Sequence, residues 1–326
     1  MKELQKIPFL EKFPETEYPT EYLTARLKGR KGRFITKWEL IFETPESSAK
    51  LIKDESTKIK TKNIQDTFYD KEMFWLYSQM NKTLRRIFHP VFLYREITRV
   101  IACLRHKAII NEQQEANKAI KEILEYSLIH KAVKKKIIEE SSILNLMQLL
   151  ENSLVLESKE FSGLARYMKD NNLRIPEHEI FNGFFQSLKI KDPVIRQYFK
   201  MQIDEKNLIS LYKKFRWNEK PEVFFNGGAI SADAFSKAGL SEDEKDLEKI
   251  FSKIFISGRK RFSFDAIENI IISEILKVLR RMISRHTQTA FIVYYIVLLQ
   301  VETVNTSLLL FSRKEDTDFL RKRLIV

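Results

Sequence analysis

A single cysteine, eight glycines and eight prolines in 326 residues leave this chain short of the residues that bridge, bend and break. With Cys103 alone, an internal disulfide framework and a thiolate metal site are both excluded, and a reducing compartment fits. The five histidines (His89, His106, His130, His178, His286) show no paired ligand spacing, which argues against a metal site. No glycine-rich phosphate loop is present, because NGG at 226–228 lacks the following Lys-Ser/Thr and GRKG lacks the spacing. Long hydrophobic runs are missing too. The longest, AFIVYYIVLL at 290–299, is about half of what a membrane span requires, and Gln300 and Glu302 follow it closely. The N-terminal MKELQKIPFLEKFPE carries no apolar core of signal-peptide length. The pattern predicts a soluble protein that can still rest against a membrane.

What the chain does have is helix-forming material and positive charge. Leu, Ile, Lys and Glu are abundant, turn formers are rare, and no alternating apolar run marks a strand, so an all-α fold is expected. At 44% hydrophobic and 31% charged, the composition supports a packed core, with the length of roughly two or three domains. Lys and Arg number 57 against 44 Asp and Glu, a net charge of +13. Nucleic acid, anionic head groups or an acidic protein could each answer that excess. The bases are scattered, in KGRKGR at 28–33, HKAVKKK at 130–136, GRKR at 258–261 and RKR at 321–323, with acids interleaved. A dedicated nucleic-acid domain more often gathers its charge in one arm or stripe. Aromatic residues follow helical core spacing and form no exposed stacking platform.

Local signals place several elements. Residues 1–20 hold three prolines and read as an irregular lead-in, with helix beginning near Glu21 and breaking at KGRKG. TPES at 44–47 has the look of a helix start. Apolar residues recur at helical spacing from Lys71 to Lys107, with Pro90 expected to divide the stretch into two helices. The clearest helix is 192–217, capped by Asp192, opened by Pro193 and closed by basic residues. SEDE at 241–244 matches a capping box, and another long helical pattern fills 266–284. Cys103 falls on an apolar face and reads as a small buried hydrophobe.

One short pattern recurs. QIDEKN at 202–207 and QVETVN at 300–305 align Gln202 with Gln300, Asp204 with Glu302 and Asn207 with Asn305. A weaker copy, YREITR at 94–99, puts Glu96 at the acid position and Arg99 at the amide position. Each copy lies late in its third of the chain, which points to three related helical domains over 1–112, 113–220 and 221–326. An acid and an amide three residues apart share one helix face, where they can bond the backbone or a basic side chain of a neighbour. The competing chemical reading is a carboxylate cleft built from Glu96, Asp204 and Glu302, which requires the three to converge. A third reading is a basic helical-repeat protein that binds nucleic acid.

These stretches resemble a known family of V/A-type ATPase rotor components, the C/d family, named for its C-type members in archaea and bacteria and its d-type relatives in eukaryotic V-ATPases. YLTAR at 22–26 is similar to the family's opening Tyr-x-x-Ala-Arg, and 74–107 resembles its first-domain core. YFKMQIDEKNLISLYKKFR with FFNGG at 224–228 is similar to the end of the second domain and its junction with the third. YYIVLLQVETVN with FLRKRL at 319–324 is similar to the C-terminal signature, except that Ser307 stands where the family usually has Arg. The resemblance implies three similar helical domains in a pseudo-threefold funnel. It also implies a non-catalytic, cofactor-free coupling component that is cytoplasmic and peripheral at the inner face of the membrane. Its partners would be the central stalk and the proteolipid ring. Arg26, Arg280, Arg281 and Arg285 are the candidate partner contacts; Gln202, Gln300 and the acid and amide positions are structural signatures.

Overall fold

A computed structural model describes residues 7–32, 34, 64–110, 112–217, 223–241, 244–254, 267–284 and 287–311. The helix start at TPES, the basic runs at 258–261 and 321–323, Arg285 and FLRKRL lie outside the described residues. Among those described, the fold is all-helical, and the one pairing of extended backbone is an isolated antiparallel bridge between Leu10 and Ile129. The chain divides into two compact units: 1–16 with 82–191, and 17–81 with 192–326.

The second unit opens with α1 (Thr20–Lys31) and α2 (Ile64–Ser78). Helix α1 runs through Gly29 and ends at Gly32, so the break expected at KGRKG comes only at its last residue. The chain next enters the first unit with α3 (Lys82–Ile109). Here the expectation at Pro90 is corrected: α3 continues through it, and the division falls earlier, between Ser78 and Lys82. The missing amide and ring clash at an internal proline cost about 3 kcal/mol. Burial outweighs that, since Phe88, Val91, Phe92 and Leu93 are all in the core on either side of the proline. Cys103, on the same helix, is fully buried as expected, and burial pushes its thiol up to about 12.

After α3 come α4 (Gln113–Leu124), α5 (Lys131–Glu139), α6 (Ile143–Leu154), a short 3-10 turn, α7 (Leu164–Asp170) and α8 (Glu177–Ser187). Helix α3 packs on α4, α6 and α8, and the core gathers Phe92, Ile97, Leu104, Met147, Leu150 and Phe184. The proline-bearing lead-in is irregular, as expected, but firmly docked. Phe9 is fully buried, and its carbonyl accepts from the His130 amide at 2.8 Å. The Glu11 amide donates to the Leu128 carbonyl at 2.7 Å, and the Glu11 carboxylate accepts from the Lys131 amide at 3.0 Å. With the His130 ring accepting from the Ala132 amide at 3.2 Å, the first turn of α5 is capped twice over. At its other end, Lys107 donates to the Glu140 carbonyl at 2.6 Å.

The second unit resumes with α9 (Pro193–Trp217), α10 (Ala232–Leu240), α11 (Glu244–Ile254), α12 (Ile267–Ile283) and α13 (Gln288–Phe311). The cap read from the sequence is present: Asp192 Oδ1 accepts from the amides of Val194 at 2.8 Å and Ile195 at 3.1 Å. At 241–244, α11 starts with Glu244; Ser241 closes α10, its amide donating to the Ala238 carbonyl at 3.2 Å, and Glu242, Asp243 and the Glu244 side chain lie outside the described residues. Helix α13 is the centre of this unit, touching α1, α2, α9 and α12. Its first half, Ala290 to Val297, is buried throughout, which is why AFIVYYIVLL can be apolar on every side.

Candidate functional site

The acid and amide of QIDEKN meet one stretch of irregular backbone. Asp204 and Asn207 lie on the same face of α9 and are almost wholly buried, at 3% and 1% exposure. Residues 223–231 pass beside them on the way to α10. The Asn207 carboxamide holds Phe225 from both sides: its Nδ2 donates to the Phe225 carbonyl at 2.8 Å, and its Oδ1 accepts from the Phe225 amide at 2.7 Å. The Asp204 carboxylate accepts from the Ala229 amide at 2.9 Å and the Ile230 amide at 3.2 Å. Two side chains thus satisfy four backbone groups that no helix or sheet could reach.

Glycine makes the approach possible. Gly227 has φ of +99°, in the left-handed region. A Cβ on Gly228 would overlap the Asp204 carboxylate, with the carboxyl carbon only 3.0 Å away. The Gly227-Gly228 pair is therefore the floor of a carboxylate seat. Ser231 then caps α10, its hydroxyl accepting from the Ala234 amide at 3.3 Å.

YREITR builds a second seat with different atoms. Glu96 is fully buried and Arg99 is 7% exposed. The Arg99 guanidinium donates to both Glu96 oxygens, at 2.8 and 3.0 Å, and to the Tyr126 carbonyl at 3.4 Å. The Ser127 hydroxyl donates to Glu96 Oε2 at 2.7 Å and accepts from the Ile129 amide at 3.0 Å. The carboxylate thus reaches the connector backbone through a serine instead of directly. This connector leads into α5, nine residues long; the one held by Asp204 leads into α10, also nine residues long. Leu211 and Cys103, each four residues past Asn207 and Arg99 respectively, are both fully buried. Ser127 carried no sequence signal, because nothing in a lone serine announces a relay.

The third copy differs. Asn305 is fully buried, as Asn207 is, but Glu302 is only half-buried, and so are Gln300, Gln202 and Ser307. Among the partner candidates, Arg26 is half-buried inside its own unit, donating to Gln79 at 2.6 Å and lying 5.0 Å from the Trp75 ring. Arg280 and Arg281 are exposed at the end of α12. Among the described residues no group of three His, Cys, Asp or Glu could hold a metal ion. No protein-family model matches the chain, and no curated protein matches it.

Chemically, these seats are consumed by structure. Glu96 has Arg99 and Ser127, and Asp204 has two amides, so neither carboxylate is left facing a substrate. An apolar cavity among Phe9, Ile97, Val100, Met147 and Leu150 has a volume of about 10 Å³, too small for a ligand. Burial pushes the Asp204 carboxyl up to about 6, against the opposing pull of its hydrogen bonds from Ile230 and Ala229.

Removing the amide side chain leaves both Phe225 groups buried without partners. Asn207→Ala is expected to lower the unfolding free energy by about 2–4 kcal/mol in urea denaturation. Gln202→Ala, one turn away and half-buried, should change it by no more than about 0.5 kcal/mol. The Asp204 shift gives a second test. A folded-state value raised above the ordinary 3.8 means that the folded chain binds the proton more tightly. That contribution is complete below 3.8 and is lost as pH rises through about 6. Measured against Asp204→Asn, which does not titrate, wild-type stability should therefore fall across this window and level off above it; a rise would contradict the assignment.

Proposed function

We propose that this chain is the non-catalytic component of a V/A-type rotary ATPase that links the central stalk to the membrane proteolipid ring. In this role it passes torque between them for ATP-coupled proton or sodium transport. The observation that carries the reading is the recurrence of one device, a buried acid-centred seat on a long helix that grips the connector into a nine-residue helix. The resemblance in YLTAR, in 74–107, around QIDEKN with FFNGG, and in YYIVLLQVETVN adds to it.

On this reading the chain consists of three similar domains, 1–112, 113–220 and 221–326, around a pseudo-threefold axis that opens as a funnel. The stalk tip occupies the socket, and the opposite face rests on the ring. A torque-bearing part needs stiffness where one element hands over to the next. Four backbone hydrogen bonds from two side chains supply that stiffness to the segment after α9. No side chain of the signature needs to move a proton. The net charge of +13 suits acidic stalk surfaces and a neighbouring anionic bilayer.

The test is retention of the purified chain by the isolated rotor ring and by the central stalk, measured as salt is raised. Retention by both that weakens with ionic strength is expected. Failure to bind either, or binding indifferent to salt, contradicts the proposal.

A further inference from the structure

Helix α1 buries one face and leaves the opposite one open. Leu23, Thr24 and Leu27 turn into the second unit, while Tyr22, Ala25 and Gly29 lie exposed along the far side. Their steps of three and four residues trace one stripe, the spacing of a seam between two packed helices. Tyr18 extends it. That residue precedes the helix, yet its ring centroid lies 4.7 Å from that of Tyr22. The two rings are 51% and 45% exposed, so the core of this unit does not account for them. Gly29 is equally unexplained from within. A Cβ there would meet nothing within 4 Å, and glycine inside a helix costs stability relative to alanine.

The stripe is complementary to itself once it is reversed. Rings occupy its first half and small residues its second. Charge follows the same division, with Glu17 and Glu21 exposed at the ring end and Lys28 exposed at the small end. Glu21 accepts from the Gln288 carboxamide at 2.7 Å, a neutral partner that leaves its charge unbalanced. Lys28 has the Phe291 ring at 6.0 Å and no acid among the described residues. Arg26 and Arg30, on the flank toward α2, are engaged by Gln79 and Glu72 of their own chain. Set antiparallel against a second copy, Tyr22 comes opposite the partner's Ala25 and Tyr18 opposite the partner's Gly29. That register brings Glu21 beside the partner's Lys28, and the twofold axis repeats each contact. A parallel pairing would instead set ring on ring and Lys28 on the partner's Lys28. Neither an anionic bilayer nor nucleic acid answers this face, because each carries one sign of charge and is repelled by Glu17 and Glu21.

We infer that α1 is a self-association surface, through which two copies of this chain pair as an antiparallel helix dimer. In it, Tyr18 and Tyr22 sit over the partner's Gly29 and the partner's Ala25. Each ring gains the apolar cover that its own unit does not give, and each glycine gains the neighbour for which its missing side chain leaves room. Two twelve-residue helices make a small interface, so the dimer is reversible, with a Kd on the order of 10 μM. The surface lies wholly within the second unit. The inference concerns the free chain and does not rest on the rotary reading.

The experiment is sedimentation equilibrium of the full chain over concentrations that bracket this constant. The wild-type mass should rise from 38.8 kDa toward twice that value. The combined variant Ala25→Gln with Gly29→Gln fills the room opposite the rings without changing charge. It should stay monomeric while its thermal midpoint holds or rises, since glutamine is the better helix former at Gly29. Charge reversal tests the register. Glu21→Lys and Lys28→Glu, each alone, should weaken the dimer on the order of tenfold. The two together should restore it, because both pairs then form again with their signs exchanged. Circular dichroism and thermal midpoints confirm that every variant is folded. A wild type that stays monomeric, as it would if the stripe seats a helix of another protein, overturns the inference. Dimerisation untouched by the glutamine variant, or a double reversal that fails to restore it, does the same.

Discussion

Irregular backbone that enters a protein core must find hydrogen-bond partners there, and in this chain side chains provide them. The connector into α10 carries Phe224, Phe225 and Ile230, all buried. Burying those side chains drags their peptide groups out of water with them. Each unpaired group would cost about 1–3 kcal/mol, a large share of the net stability of any domain. Asp204 and Asn207 remove that cost. This is why an acid and an amide stand three residues apart on a helix that is otherwise built for burial. The first unit meets the same constraint where Leu128 and Ile129 are fully buried, and it answers with Glu96, Arg99 and Ser127.

Much of this was readable from local chemistry. Asp192 and Pro193 marked the start of α9 because capping is decided within a few residues. The burial of Cys103 and the faces of α3 followed from periodicity, and the shared face of Asp204 and Asn207 followed from spacing. What escaped was whatever depends on distant partners. Pro90 looked like a divider because its local cost is real, and only the core around Phe88 and Phe92 shows that the cost is outweighed. The lead-in read as irregular, but nothing local in IPFLE says that Leu10 will bridge Ile129. Ser127 was invisible for the same reason. The chemical difference between the seats, a direct carboxylate in one and a serine relay in the other, required coordinates.

The seats also bear on what the protein is for. A buried carboxylate beside an arginine or a raised carboxyl value often marks catalysis. Here Glu96 is engaged by the Arg99 and Ser127 side chains and Asp204 by two backbone amides, and burial explains the raised carboxyl of Asp204. Exposed basic residues stand at the ends of α1 and α12, Lys28 on one and Arg280 and Arg281 on the other. Rigidity at the connectors is the property that the proposed role in a rotary motor would use.

The central claim is that these connectors are held as firmly as regular structure. Native-state hydrogen exchange of individual amides tests it most directly. The account predicts that the amides of Phe225, Ala229, Ile230 and Ile129, all outside helices, exchange as slowly as the buried core of α9. Exchange at the rate of exposed loop amides would contradict it.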